Sequence, residues 1–244
     1  MSREEDALYS LENNQLALDD AFDFKCKECG KCCKNREDIL LSPRDLFNIA
    51  KILGRTTGEI IKRYCESYVG ESSRVPLVRL QPVDLDNRCP LLFDRHCIVH
   101  KAKPTVCALF PLGRGYTFYD DATFKAEDPV YFVQPVKCGS KAESPTVRSW
   151  LEKFGVPLND EFQHLWSRTS VFLSVFFMKM EEENKPKELI EKLRMATFSL
   201  LYLGYDTNVD LLPQFSFRAG QLKGMTLMDA NNLTFRENII NAGI

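Results

Sequence analysis

Four of the chain's nine cysteines lie in one short run, Cys26-Lys27-Glu28-Cys29-Gly30-Lys31-Cys32-Cys33. Chance alone does not explain four cysteines within eight residues. Two-residue spacers let successive side chains turn back on one centre. Gly30 permits the left-handed backbone that closes such a loop and turns amides towards sulfur. Cys89, Cys97, Cys107 and Cys138 follow in short, irregular segments that can converge on the same place. Cys65 ends an amphipathic stretch and reads as a small buried hydrophobe.

The odd count and the clustering both speak against a disulfide framework. Met1 to Asp6 is polar and acidic, unlike a leader that is basic and then apolar. The longest apolar stretch, Val171 to Met178 with Ser174 inside it, falls well short of the ~20 residues that span a bilayer. The expectation is a protein of a reducing, cytoplasmic compartment without membrane attachment, where clustered thiols are metal ligands or redox groups. Hydrophobic residues make up 44% of 244 positions, so a core can form without metal, which is then functional or a local clamp. Lys and Arg number 32 against 34 Asp and Glu, a net charge of -2 that argues against a general nucleic-acid binder.

The candidate metal ligands are Cys26, Cys29, Cys32, Cys33, Cys89, Cys97, Cys107 and Cys138. The first run resembles the opening cysteines of a bacterial ferredoxin, whose later cysteine precedes proline, as Cys89-Pro90 does here from far along the chain. An iron–sulfur cluster of the 4Fe-4S type is the first reading. Zinc, which takes four thiolates equally well, is the alternative. Adjacent side chains diverge, so Cys32 and Cys33 rarely serve one ion. The thiols suit either one cluster with spare sulfurs or two centres.

Lys25, Lys27, Lys31 and Lys34 flank the first run. Positive charge there favours thiolates, raises a cluster's potential and attracts an acidic redox partner. The plainer reading is a solvated basic turn. His96 and His100 flank Cys97, but a strand would put His96 and Cys97 on opposite faces. His164 lies in an expected helix. Three histidines give a Ser–His–Asp hydrolase little support, and neither G-x-x-x-x-G-K-[ST] nor G-x-G-x-x-G occurs.

The fold class expected is α+β: a small cysteine-pinned metal-binding core with short strands, surrounded by helices, and a helical C-terminal part. Phe22, Phe24 and Cys26 alternate as in a short strand. Ser42 and Pro43 open a helix that Gly54 ends, and Thr56 with Glu59 forms a capping box for a second. Strands are expected at Val75 to Pro82, Thr117 to Tyr119 and Val130 to Val136, and helices at 146–154, 160–183 and 186–200. The last 40 residues are mixed, with no clear chemistry. Residues 1–21 read as an arm, 22–155 as the cysteine-cluster domain, and 156–244 as a mostly helical extension packed on it. Phe172, Leu173, Phe176 and Phe177 read as core, with partner docking as the alternative.

These residues resemble a known family. Cys26-x-x-Cys29-Gly-x-Cys32-Cys33, Cys89-Pro90-Leu91-Leu92, Cys97-Ile98 and Lys103-Pro104-Thr105-Val106-Cys107-Ala108-Leu109-Phe110-Pro111 look, in order, like the CxxCxxCC cysteine-cluster family. That family is labelled zinc- or iron-chelating, or YkgJ-type, and has distant relatives among the flagellin lysine N-methylases. The likeness runs over roughly residues 22 to 155. The family's tyrosine after the Cys97 position is replaced here by Val99 and His100, and its arginines near Cys107 by Lys103 and Ala108. The resemblance implies metal binding. Three activities follow as expectations: an iron–sulfur oxidoreductase or electron carrier, a zinc-clamped interaction module, or a lysine N-methylase-like methyltransferase.

Overall fold

A computed structural model describes residues 14–27, 29–34, 39–94, 96–115, 129–136, 138–158 and 160–229, with side chains as far as 226. The expected strand at Thr117 to Tyr119 lies outside them. Seven α-helices and seven short strands occur among the described residues, an α+β fold. The chain divides into two compact units: one runs up to Leu40 and over Arg79–Ser167, the other over Leu41–Val78 and from Arg168 onwards.

In the second unit the caps read from sequence are made. Helix α1 (Pro43–Leu53) starts at Ser42, whose hydroxyl accepts from the Asp45 amide at 3.2 Å while the Asp45 carboxylate accepts from the Ser42 amide at 2.9 Å. This reciprocal pair satisfies donors that a helix start otherwise leaves open. Helix α2 (Thr57–Tyr64) carries the same box from Thr56 and Glu59. Cys65, 8% exposed, ends it and opens strand β2 (Cys65–Val69), which pairs with β3 (Pro76–Leu80).

The long helices α5 (Glu161–Glu182), α6 (Lys187–Tyr202) and α7 (Leu211–Asp229) follow. Leu173 and Phe177 are fully buried, so that stripe is core. In α7 the buried residues are Leu211, Phe215, Ala219, Leu222 and Thr226, one face at helical spacing. The α6 C-terminus is held by Arg218, whose guanidinium donates to the carbonyls of Leu200 and Gly204 and lies 4.0 Å from the Tyr205 ring centre. Arg194 donates to both Glu181 and Glu191.

In the first unit, β1 (Gln15–Leu16), β7 (Val130–Val133) and β6 (Leu112–Gly115) form an antiparallel sheet in the order β1-β7-β6. Helix α4 (Val147–Lys153) brings Trp150 into a core with Phe22, Phe24, Leu109, Leu112 and Tyr131. Phe22 and Phe24 meet Trp150 edge-on at 5.6 and 5.7 Å. The segment from Phe22 to Cys26 is extended but forms no continuous strand. It runs against 140–146 through bridges at Ala21–Thr146 and Lys25–Ser140. Phe22 and Phe24 alternate inward as the sequence pattern implied, whereas Cys26, the third residue of that pattern, is exposed.

Candidate metal centre

The cysteine-bearing segments leave this aromatic core at its edge. Phe24 is anchored on Trp150, and two residues on the chain exposes Cys26. Lys25 and Ser140 exchange backbone hydrogen bonds at 2.7 and 3.1 Å, which sets Cys26 beside the Cys138-Gly139 corner. Gly139 has φ 77°, and a Cβ there would lie 2.3 Å from the Phe24 ring, so only glycine lets Cys138 approach the core this closely. Cys29 is exposed. Gly30, with φ 68°, starts a single 3-10 turn, Lys31–Cys33, which half-buries Cys32 and Cys33.

The later thiols are framed by a small hairpin and a short helix. The Cys89 amide donates to the Cys33 carbonyl at 2.8 Å, and Lys34 bridges Arg88 beside it. The Leu91 and Leu92 amides point at the Cys89 sulfur. Pro90 has no amide hydrogen, so the donors come from the second and third residues after the cysteine. Strands β4 (Leu92–Phe93) and β5 (His96–Cys97) pair Leu92 with Cys97, and the Val99 amide donates to the Cys97 sulfur. Cys107 sits in α3 (Thr105–Leu109), whose Leu109 carbonyl accepts from the buried Trp150 indole at 3.1 Å.

The thiols lie within electrostatic reach of one another. Cys33 is pushed far up, first by the hydrogen bond with the Cys32 thiol, then by burial, then by Cys32, Cys89 and Cys107. Burial raises Cys89 and Cys97, with the Leu91 amide opposing at the first and the Val99 amide and Lys103 at the second. Burial also raises Cys138, followed by Cys32, Cys29 and Cys26, with Lys31 opposing. These four thiols are therefore neutral near neutral pH until a cation displaces the protons. Amides aimed at sulfur favour the thiolate and are the usual outer shell of thiolate-bound metals.

All eight candidate ligands are thus drawn into one neighbourhood, while Cys65 is buried in the other unit. Among the described residues no three donors already surround a common point at coordinating distance. The thiols are gathered but not closed. The donor set itself fits a thiophilic metal: sulfur only, with zinc or iron–sulfur chemistry the matching choices. His96 is exposed, places Nδ1 2.7 Å from the Asp94 carbonyl, and pairs with Phe93 rather than with the Cys97 position. His100 is exposed as well.

The lysine rim is partly engaged. Lys25 pairs with Glu143 at 2.7 Å and Lys34 with Asp86 at 2.6 Å, whereas Lys27 and Lys31 are exposed. Sequence reading missed the amide donors at Leu91, Leu92 and Val99. The Cys-Pro-Leu-Leu run was their signal, because proline forces the donors to later residues. It also missed the role of Lys103, which faces Cys97 electrostatically and sits 5.2 Å from the Phe154 ring centre.

No helix among the described residues is long and apolar enough to cross a membrane. No curated protein and no solved structure matches the chain significantly. Residues 25–132, which hold every candidate thiol but Cys138, match the family model CxxCxxCC, described as "Putative zinc- or iron-chelating domain", a likeness that supports metal binding by this segment.

Proposed function

We propose that the chain is an iron–sulfur protein whose cluster exchanges electrons with a partner protein. The observation that carries this reading is the exposure of Cys26 and Cys29 at the edge of an all-sulfur donor set. An electron carrier needs its cofactor near the surface, and thiolates at an open edge provide that. Bound there, the cluster would supply reversible one-electron chemistry at iron. The protein's own part is to position thiolates, aim amides at Cys89 and Cys97, and set positive charge nearby. Lys27 and Lys31, exposed beside the first run, are the contacts for an acidic partner.

A second reading, a zinc clamp, is favoured by one specific feature. The hairpin that carries Cys89 and Cys97, with amides turned onto sulfur, is the kind of loop that also holds structural zinc.

Purification without oxygen, followed by assay of iron, zinc and acid-labile sulfide, separates the two. Iron and sulfide in equal amounts, with visible absorption that bleaches on reduction, is the expected result. Zinc without sulfide replaces the first reading by the second. A protein carrying neither metal, and taking up neither on reconstitution, overturns both.

A further inference from the structure

Eight thiols are more than one tetrahedral ion or one four-iron cluster needs. The backbone joins them in two separate places. Lys25 and Ser140 pair through two hydrogen bonds and hold Cys26 beside Cys138. Cys89 N to Cys33 O, with the Lys34–Arg88 bridge next to it, holds Cys33 beside Cys89. The hairpin then returns Cys97 opposite Leu92, whose amide is bonded to the Cys89 carbonyl at 3.0 Å.

We propose that the thiols divide into two four-thiolate metal centres, Cys26, Cys29, Cys32 and Cys138 around one and Cys33, Cys89, Cys97 and Cys107 around the other. This rests on the metal-binding reading above and deepens it. The divide passes between Cys32 and Cys33, whose thiols are hydrogen-bonded to each other in this structure and part to their own centres when the metals bind.

Three further observations bear on the division. Cys138 interacts with Cys26, Cys29 and Cys32, and Cys33 interacts with Cys89 and Cys107 as well as with Cys32, which Cys89 and Cys97 also face, Cys89 facing Cys97 besides. Cys32 is the common neighbour, as the residue at the junction should be. Exposure follows the division in part: the two exposed thiols, Cys26 and Cys29, both fall in the first set, whose Cys32 and Cys138 are partly buried like all four of the second. Finally, each set has its own cation, Lys31 near Cys138 and Lys103 near Cys97. A tetrathiolate centre with a divalent ion carries two net negative charges, which one lysine at each partly offsets.

The test is zinc titration of the full chain, reduced, metal-free and under inert gas, with bound zinc and cobalt-substituted absorption as readouts. The wild type should take up about two zinc ions per chain at tetrathiolate sites. Cys26→Ser and Cys138→Ser should each halve the tightly bound zinc, and the double variant should still retain half. Cys89→Ser and Cys97→Ser should do the same for the other half. Cys138→Ser combined with Cys97→Ser should remove nearly all of it. Wild-type uptake of a single ion overturns the division without any variant. So does a Cys26→Ser/Cys138→Ser protein that binds none, or a Cys138→Ser/Cys97→Ser protein that keeps half. Absence of any thiolate-bound metal in the wild type would instead overturn the metal reading itself. Helical circular dichroism identifies any variant that has merely failed to fold.

Discussion

The unit that contains α1, α2, α6 and α7 fills its interior with Tyr202, Phe177, Phe215 and Leu193, all fully buried, and closes its helix ends with capping boxes and the Arg218 guanidinium. The cysteine-bearing loops of the other unit bury fewer apolar side chains, Leu91 and Val99 among them. Cys26 and Cys29 are exposed, the Lys31–Cys33 turn has no side-chain cap, and Leu85 and Phe93 nearby in sequence to Cys89 face solvent at 106% and 75%. One region draws its stability from apolar burial. The other hangs from an aromatic core and has donors, amides and charge but few apolar side chains of its own beyond Leu91 and Val99. Such loops gain order when a ligand binds the folded form alone.

Metal removal should therefore separate the two regions most strongly. Structural zinc contributes on the order of 10–16 kcal/mol to small thiolate sites at neutral pH. Chelation under reducing conditions should abolish hydrogen-exchange protection of the Cys33, Cys89 and Ile98 amides, while amides in α6 and α7 stay protected. Equal loss in both regions would show that the metal orders the helices too, and the comparison would fail.

The converse change should act on the helical unit alone. Phe215 is fully buried at the centre of the α7 stripe, so Phe215→Ala leaves a cavity and costs about 3–5 kcal/mol. Chemical denaturation should register that loss. Metal per chain, measured under conditions where the variant remains folded, should match the wild type.

Alkaline pH offers a smaller and graded version of the same contrast. Burial pushes the Tyr202 and Tyr205 phenols up, with nearby tyrosines adding at Tyr202 and Arg218 opposing at Tyr205. Their folded values exceed the unfolded ones, so their contribution is whole below about pH 10 and is lost as pH rises towards the folded values. Each should cost about 1.4 kcal/mol per pH unit above ~10. Tyr202→Phe should flatten the fall in stability measured by urea denaturation at pH 10 to 11. An unchanged slope would mean that Tyr202 is already ionisable in the folded chain.

Local signals were readable where one short stretch decides the structure. Ser42-Pro43 and Thr56 with Glu59 announce both helix starts, because a cap acts within four residues. Helix α7 was not recognised, although its buried face repeats at helical spacing. Pro213, Gly220 and Gly224 hid it, yet proline is tolerated in a first turn and both glycines face open space. Strand β6, Leu-Gly-Arg-Gly, lacks strand formers and owes its conformation to pairing with β7. The same distinction holds at the site. The thiols themselves were legible as a group. Their arrangement depends on Lys25 meeting Ser140 and Cys33 meeting Cys89, and no local pattern encodes contacts at that separation.

The smallest expected effect probes a device on which the helical unit relies and the Lys31–Cys33 turn does without. Ser42 contributes its hydroxyl twice, accepting from the Asp45 amide at 3.2 Å and donating to the Asp45 carboxylate at 2.8 Å. Asp45 is itself 4% exposed, so its carboxylate depends on these protein partners. Ser42→Ala leaves the Ser42 backbone amide as a donor to Asp45 but removes the side-chain half of the box, at a cost of about 1 kcal/mol. Ser42→Gly should lose only a few tenths, because glycine is a tolerated cap. Urea midpoints for the two variants, read beside their metal content, give the measure. A loss well above the cap's value in Ser42→Ala would mean that the buried Asp45 carboxylate, and not the helix start, is what the hydroxyl serves. A change in metal content would mean that the two regions are coupled more tightly than their separate means of stabilisation imply.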